Sequence, residues 1–223
     1  MRVLKNENEI PGGNNPAAIN EQPYQEAKKS GEDGPQTMNS TEEAINKARR
    51  KCTISDNMVK LLCTQMRAEL SNYTLYNTFA SYFNSEGLYK IEEYWKARAD
   101  EENMHHKWIR NYLNMCDALI EYADVPPTKI DITDKIVPFA DTVDREIETT
   151  GGINILMNAA TKESDWATVA FLMGDDDEHG QLVREQVEEE KISRRALHMA
   201  QQDTDWLTKQ DSIYEMYFSI RPK

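Results

Sequence analysis

Apolar positions recur at spacings of three and four residues through most of the chain after residue 54. This spacing lines up one stripe of side chains along a helix, and its heptad-like repeat is typical of helices packed in a bundle. No proline occurs between Pro35 and Pro126, and an interior proline costs a helix about 3 kcal/mol, so long helices are favoured there. No segment shows the strict alternation that is typical of a strand.

The pattern predicts four long helices and a short fifth one. Ser55 or Asp56 supplies the first N-cap, and Gly87 ends the first helix. Pro126 and Pro127 indicate an extended connection over 124–133. The predicted bounds are about 55–87, 89–122, 134–161, 165–202 with an interruption at 174–180, and 204–218. The predicted fold class is therefore all-α, a four-helix bundle with one long crossover connection and a short C-terminal helix.

Residues 1–50 differ in composition from the rest of the chain. They contain four of the eight prolines, four of the nine glycines and a single aromatic residue, Tyr24. Such a segment buries too little apolar surface to offset the entropy lost on ordering. We interpret it as an arm, disordered or bound to a partner protein, that precedes a bundle domain at 51–223. Within this region, 41–51 has the composition of a short helix.

Charge and cysteine content narrow the range of functions. The chain carries 26 Lys and Arg residues against 39 Asp and Glu, a formal charge of −13. Eight basic and eight acidic residues lie in 1–51, so the whole excess belongs to the bundle. This balance argues against nucleic acid and anionic membranes as partners. No signal peptide or membrane-spanning run is visible and the three cysteines are scattered, so a cytoplasmic location is expected.

Ionisable residues stand on the predicted helix seams, where a bundle usually has apolar ones. Glu69, Glu102, His105 and Glu146 occupy such positions. Either these acids pair with a buried base such as Arg98 in an ionic core network, or they surround a pair of metal ions. An unpaired buried carboxylate is costly, and three acids here face one arginine and one histidine. Hard cations bind carboxylate oxygens and histidine nitrogens readily, so the metal interpretation is favoured.

Two further observations support a metal site. Glu102 and His105 are three residues apart, which points both side chains at one ion from one turn of helix. On the fourth helix, Gln186 and Glu189 lie on the inward line with three other residues, Leu182, Ser193 and Ala196. A glutamate-rich run is usually a solvated face, but this position opposite the other three seams indicates that Gln186 and Glu189 point at the same site.

These residues lie in stretches that resemble prokaryotic non-haem ferritins. The stretches occur in the family's order and cover most of residues 54–218. They are Met66–Tyr76 (MRAELSNYTLY), Ser81–Leu88 (SYFNSEGL), Asp100–His106 (DEENMHH), Pro138–Glu146 (PFADTVDRE), Ile153–Leu156 (INIL), Asp165–Leu172 (DWATVAFL) and Glu185–Glu190 (EQVEEE).

The resemblance implies a set of ligands. Glu69, Glu102 and His105 match the ligands of a first iron, and Glu102 also matches the bridging carboxylate. Glu146 and Gln186 match positions at a second iron. The residues that match the acidic third iron site of bacterial ferritins are Glu101, Glu185, Glu188 and Glu189.

Tyr76 matches the tyrosine beside the diiron centre. It is either an electron donor or a residue that packs the core. Haem is not implied, because Met104 is not placed as a haem ligand. Bacterioferritins and rubrerythrins are disfavoured, because they usually carry a second Glu-x-x-His on the fourth helix, and neither Glu188 nor Glu189 has a histidine three residues later.

The function that the resemblance implies is ferroxidase activity with iron storage. Fe(II) would be oxidised by O2 or peroxide at the diiron centre and deposited as ferric mineral in a homo-oligomeric shell of about 24 subunits. Two alternatives are a structural or interaction protein whose arm binds a larger assembly, and a ferritin-like oxidase that works as a dimer without a cavity.

Three features depart from the family's pattern. The arm at 1–50 is one. Gly151 and Gly152 stand in the third helix and mark a kink or a close helix approach that bears on the second iron site. An insertion of about seven residues, close to two turns of helix, interrupts the fourth helix. Its acids, 175–178, and His179 form either an acidic funnel or extra cation site, or a solvated loop.

Overall fold

Helices make up all the regular structure that is described. The computed structural model describes residues 41, 54–122, 124–125, 130–174 and 181–221. No strand occurs in these ranges, and the predicted all-α class is confirmed. The helices are α1 (Asp56–Ser85), α2 (Tyr89–Met115), α3 (Val137–Glu163), α4 (Trp166–Met173), α5 (Leu182–Ala200) and α6 (Trp206–Ile220).

Side-chain caps fix where three of the helices begin. Ser55, Asp165 and Asp205 each accept a hydrogen bond from the backbone amide three residues on, at 3.0 Å in every case. These bonds satisfy amides that have no partner inside the helix. Gly87 follows α1 with a φ of +73°, a conformation that glycine adopts without strain, and the chain turns directly into α2.

The long helices form two pairs joined by the predicted crossover. α1 packs along α2, and α3 packs along α5, while α4 packs against both α3 and α5. The connection between Met115 and Val137 has no helix among its described residues. α6 packs against α2 and α5. The predicted interruption of the fourth helix is confirmed, since α4 ends at Met173 and α5 begins at Leu182.

Helix α2 ends earlier than the sequence pattern predicts. It stops at Met115, and Asp117 has a φ of +54°, in the left-handed region that ends helices. Leu119, predicted on the seam, is 80% exposed. The prediction of a helix to about residue 122 is therefore wrong, because the left-handed turn at Asp117 breaks the apolar repeat.

The buried face of α3 is also displaced from the predicted seam. Thr142, Thr149 and Leu156 are buried, whereas the prediction placed their C-terminal neighbours at 143, 150 and 157 on the seam. The predicted and observed sets both alternate spacings of three and four, so the repeat alone did not decide which of two neighbouring residues faces inward. Glu146 stays at the centre of the buried face under either reading.

Polar residues separate two apolar cores along the bundle. On α1, Met66 belongs to one core and Tyr76 to the other, and Glu69 lies between them. On α2, Trp95 and Ile109 belong to different cores, with the motif at 102–105 between them. The two cores therefore hold the polar section of the bundle from both ends.

Several predictions fall on residues outside the described ranges. They concern the arm at 1–50 apart from Thr41, the short helix at 41–51, and the acidic insertion at 175–180 with His179. No described helix combines the length and the apolar character that a membrane span needs.

Candidate metal centre

The predicted seam residues meet in the middle of the bundle. Glu69 comes from α1, Glu102 and His105 from α2, Glu146 from α3, and both Gln186 and Glu189 from α5. All six side chains are buried, and Glu69 and Glu146 have no exposed surface at all. Four helices thus converge on one polar cluster enclosed by apolar packing.

Three of these residues form what we call the first ligand group, Glu69, Glu102 and His105. Each offers an atom that lies within 4.8 Å of the corresponding atoms of the other two. His105 Nδ1 is 3.8 Å from Glu102 Oε2 and 4.0 Å from Glu69 Oε2. Both Glu102 oxygens and Glu69 Oε2 are buried without a hydrogen-bond partner among the described residues. Unpaired buried oxygens of this kind fit a cation bound among them.

Glu102 also belongs to the second ligand group, which it forms with Glu146 and Glu189. Their ligand atoms again lie within 4.8 Å of one another. Both Glu189 oxygens lack a hydrogen-bond partner within the described part of the chain. Because Glu102 is common to the two groups, it lies between two adjacent cation positions.

Glu146 is held by three donors from three helices. The Tyr76 hydroxyl donates to Oε1 at 2.7 Å, and Gln186 Nε2 donates to Oε2 at 3.0 Å. Arg98 Nη2 also donates to Oε1. Burial and the charge of Glu146 raise the pKa of Tyr76 well above its usual range, so the phenol keeps its proton and donates. Tyr76 thus lies beside the second ligand group and donates directly to one of its carboxylates.

Arg98 supplies a buried positive charge beside the second ligand group. Besides Glu146, its guanidinium contacts Glu101 Oε2 at 3.0 Å and lies 3.6 Å from Glu189 Oε1. Burial lowers the pKa of Arg98, but these three carboxylates outweigh that effect and raise it, so the side chain stays charged. The ionic network considered from the sequence therefore exists on this side of the cluster, and Glu189 links it to His105 of the first ligand group.

An outer group of acids extends the cluster towards the surface. His105 Nε2 contacts Glu185 Oε2 at 2.9 Å and lies 3.6 Å from Glu189 Oε1. Arg221, after α6, lies 3.1 Å from Glu101 Oε1 and 3.2 Å from Glu188 Oε2. The four acids of the predicted third site are thus brought together around His105 and Arg221, and the sequence pattern gave no signal for Arg221.

Gln65 is a second residue that the sequence reasoning missed. Its Nε2 donates a 2.6 Å hydrogen bond to Glu69 Oε1. A Cβ on Gly152 would lie only 2.1 Å from Gln65 Oε1, so the absence of a side chain at Gly152 makes room for the amide. Gly152 therefore marks a close helix approach, and the signal for Gln65 was present in the sequence, since Gln65 precedes Glu69 by four residues.

Burial and the neighbouring charges shift the pKa values of Glu69 and His105. Burial, together with repulsion from Glu102, raises the pKa of Glu69 well above its usual range. Burial lowers the pKa of His105, but Glu189, Glu102 and Glu185 outweigh it, so the net shift is well upward. Without a bound cation, both shifts favour the protonated forms of Glu69 and His105.

A family comparison agrees with this arrangement. The model of the ferritin-like domain family matches residues 59–201, which include every residue of the two ligand groups. The chain belongs to the ferritin-like domain family. The resemblance to prokaryotic ferritins is confirmed as a family relation. The individual ligand roles stay predictions.

Similar proteins include ferritins from bacteria and an archaeon. The bacterial non-heme ferritin of Staphylococcus aureus strain USA300 is 30% identical over 139 residues, which cover 62% of this chain and 80% of that protein. An open pore ferritin from Archaeoglobus fulgidus superposes with a TM-score of 0.65 at 25% identity, over 73% of this chain and 98% of that one. Chlorobium tepidum ferritin, at 23% identity and a TM-score of 0.62, shares the fold over 76% of this chain and 98% of its own.

Proposed function

We propose that this ferritin-like chain oxidises Fe(II) at the buried cluster and stores iron as a ferric mineral. The observation that carries the proposal is the first ligand group, in which buried carboxylate oxygens lack hydrogen-bond partners among the described residues and face a histidine nitrogen. Such a set binds a hard or borderline cation, and carboxylates favour Fe(III) over Fe(II), so binding helps to drive oxidation. Family membership and the ferritin relatives support iron as that cation.

The proposed reaction takes one electron from each of two Fe(II) ions. O2 accepts the two electrons with two protons and leaves as hydrogen peroxide. With peroxide as the oxidant, two electrons and two protons give two water molecules. Glu69, Glu102 and His105 bind the first iron, while Glu146, Gln186 and Glu189 serve the second and Glu102 joins the two.

The remaining residues have accessory roles in this proposal. Glu101, Glu185 and Glu188 pass iron between the centre and the outside, together with Glu189. Tyr76 positions Glu146 through its hydrogen bond and lies close enough to supply an electron. A homo-oligomeric shell of about 24 subunits would contain the mineral. Exposed apolar side chains such as Met115, Leu119 and Val187, which are 73–81% exposed, are consistent with surfaces covered in an oligomer.

The test combines oxidation, iron content and particle mass on one purified sample. Fe(II) is added to the metal-free protein in air or with peroxide, and ferric species are followed by their near-ultraviolet absorbance. Light scattering after size exclusion gives the mass. We expect rapid oxidation, retained iron and a large closed assembly. Failure to bind or oxidise Fe(II) would leave the structural or interaction role, and oxidation by a dimer would support the oxidase without a cavity.

Replacing Gly152 with alanine tests how the first ligand group is held. The new methyl group would displace the Gln65 amide, and Glu69 would lose its 2.6 Å hydrogen bond. Residues that orient metal ligands are worth about 10- to 100-fold in affinity, so we expect at least about a tenfold loss in Zn²⁺ affinity by calorimetry. Gly151→Ala is the matched control, because its Cβ would meet nothing within 4 Å. Equal affinities in the two variants would contradict this role for Gly152.

Cation binding is expected to release protons. The pKa values of Glu69 and His105 are both raised, so a cation competes with protons for these two residues. Affinity should therefore rise with pH, about tenfold per unit for each proton released, and fall as the pH drops. Calorimetry of Zn²⁺ binding in two buffers of different ionisation enthalpy measures the number released. Glu69→Gln should release fewer protons, and heats that do not depend on the buffer would refute the prediction.

A further inference from the structure

A positively charged side chain, that of Arg98, already contacts the second ligand group. Arg98 is fully buried, and its guanidinium contacts Glu146, Glu101 and Glu189. Such an arginine offsets the charge of acids that would otherwise be costly to bury together. A divalent ion in the same group would use Glu146 and Glu189, which are two of the three acids that Arg98 now contacts.

The two ligand groups differ in whether a charged side chain already occupies one of their oxygens. Glu146 Oε1 accepts hydrogen bonds from Tyr76 and Arg98, and Oε2 accepts one from Gln186, so three of its roughly four lone-pair sites are in use. Glu102 has no hydrogen-bond partner on either oxygen among the described residues. Arg98 therefore occupies a ligand oxygen of the second group, whereas no cationic side chain is hydrogen-bonded to Glu69 or Glu102 in the described part of the chain.

We infer that Arg98 is a displaceable cation that holds the second position, so that divalent ions load in a fixed order. The first ion binds at Glu69, Glu102 and His105, and the second binds only when the guanidinium leaves Glu146. This inference rests on the proposed function, because it concerns the same centre. It makes Arg98 a positioning residue that governs how many ions the centre holds at a given metal concentration.

Arg98 also has partners that do not belong to the second ligand group. Arg98 Nη1 already contacts Glu101 Oε2 at 3.0 Å, on the outer side of the cluster. Its guanidinium lies 5.7 Å from the centre of the Tyr76 ring, whose face favours a cation. Arg98 can therefore give up Glu146 and keep two favourable partners. Repulsion between the guanidinium and a dication that shares its carboxylates favours this movement.

Titration of the metal-free native protein with Zn²⁺ tests the order of loading. We expect two steps, with the first ion bound at least about tenfold more tightly than the second. In Arg98→Gln the second step should tighten by at least about tenfold, because its carboxylates are released, while the first changes little. Arg145→Gln is the matched control, since Arg145 pairs with Asp141 on the outside of α3 and touches neither ligand group.

Several outcomes would overturn the inference. Two equally tight ions in the native protein would do so, and so would a second step that Arg98→Gln leaves unchanged. A loss of the first step in Glu102→Ala is required by the proposed function and does not depend on Arg98. If Glu102→Ala binds the first ion normally, it is the assignment of the centre that fails.

Crystallography of the native protein tests the movement without any substitution. With one equivalent of Zn²⁺, the ion should lie at the first ligand group and Arg98 should remain bonded to Glu146. At saturating Zn²⁺, the second ion should appear and the guanidinium should have moved towards Glu101. A second ion beside an Arg98 that is still bonded to Glu146 would show that the two cations do not compete.

Discussion

Replacing Glu102 with alanine is expected to lower the rate of Fe(II) oxidation by at least about 100-fold, because even residues that only orient metal ligands are worth about 10- to 100-fold. Glu102 is the acid common to the two ligand groups, so its loss affects both cation positions. Neither of its oxygens has a hydrogen-bond partner among the described residues, so both are available to a cation. Stopped-flow absorbance of the first turnover after mixing with Fe(II) and O2 measures the effect.

The stability of the Glu102→Ala protein separates a functional role from a structural one. Burial raises the pKa of Glu102, but His105, Glu69 and Arg98 outweigh it and leave the pKa lowered, so the fold favours the ionised carboxylate. The metal-free variant should therefore unfold at a lower temperature than the native protein, and the rates are compared at a temperature where both proteins are folded. Glu148→Ala, an exposed acid on α3, is the matched control and should oxidise iron normally. A native rate in Glu102→Ala would place the oxidation elsewhere in the molecule.

The buried acids could be predicted from the sequence because they interrupt the regular apolar repeat of the helices. Glu69, Glu102 and Glu146 stand where the helical repeat calls for apolar residues, and all three are buried side by side. A helix seam fixes which residues face inward, so residues on different helices can be assigned to one cluster without knowing any distance. The resemblance to ferritins then supplied the ligand roles.

The sequence did not predict which residues of the cluster contact one another. Arg98 was recognised as a buried base, but the choice between Glu146 and Glu69 as its partner depends on distances across helices. Gln65 and Gly152 meet across α1 and α3, and Arg221 reaches the outer acids from beyond the last helix. Local spacing carries no information about such contacts, since they are set by how the helices cross.

The errors at helix ends have a similar origin. Asp117 turns the chain with a positive φ although the apolar repeat continues formally to Leu119. Asparagine and aspartate are the side chains, after glycine, that enter this conformation most readily, but most of them do not do so. The turn therefore becomes visible only once the packing of the following connection is known.

Replacing Trp95 with alanine is expected to cost about 3–5 kcal/mol in the free energy of unfolding, the range found for large aromatic residues removed from a core. Trp95 is fully buried, and four rings lie within 5.5 Å of its own, measured between centroids. One of them is Tyr76, at 5.5 Å, which donates the hydrogen bond to Glu146. Loss of the indole thus removes both core packing and the support behind the metal centre. Denaturant unfolding of the metal-free protein gives the free energy.

Two control variants show whether the loss of stability in Trp95→Ala comes from removing a buried indole. Trp166→Ala removes an indole that is 65% exposed, so it should change the stability by no more than about 0.5 kcal/mol. Trp95→Phe keeps an aromatic ring, and the indole nitrogen it removes has no hydrogen-bond partner in the described chain, so most of the stability should return. If Trp95→Ala were as stable as Trp166→Ala, the aromatic core would not be what holds Tyr76 in place. A Trp95→Phe protein that regains stability but oxidises iron slowly would instead show that the position of Tyr76 depends on the full width of the indole.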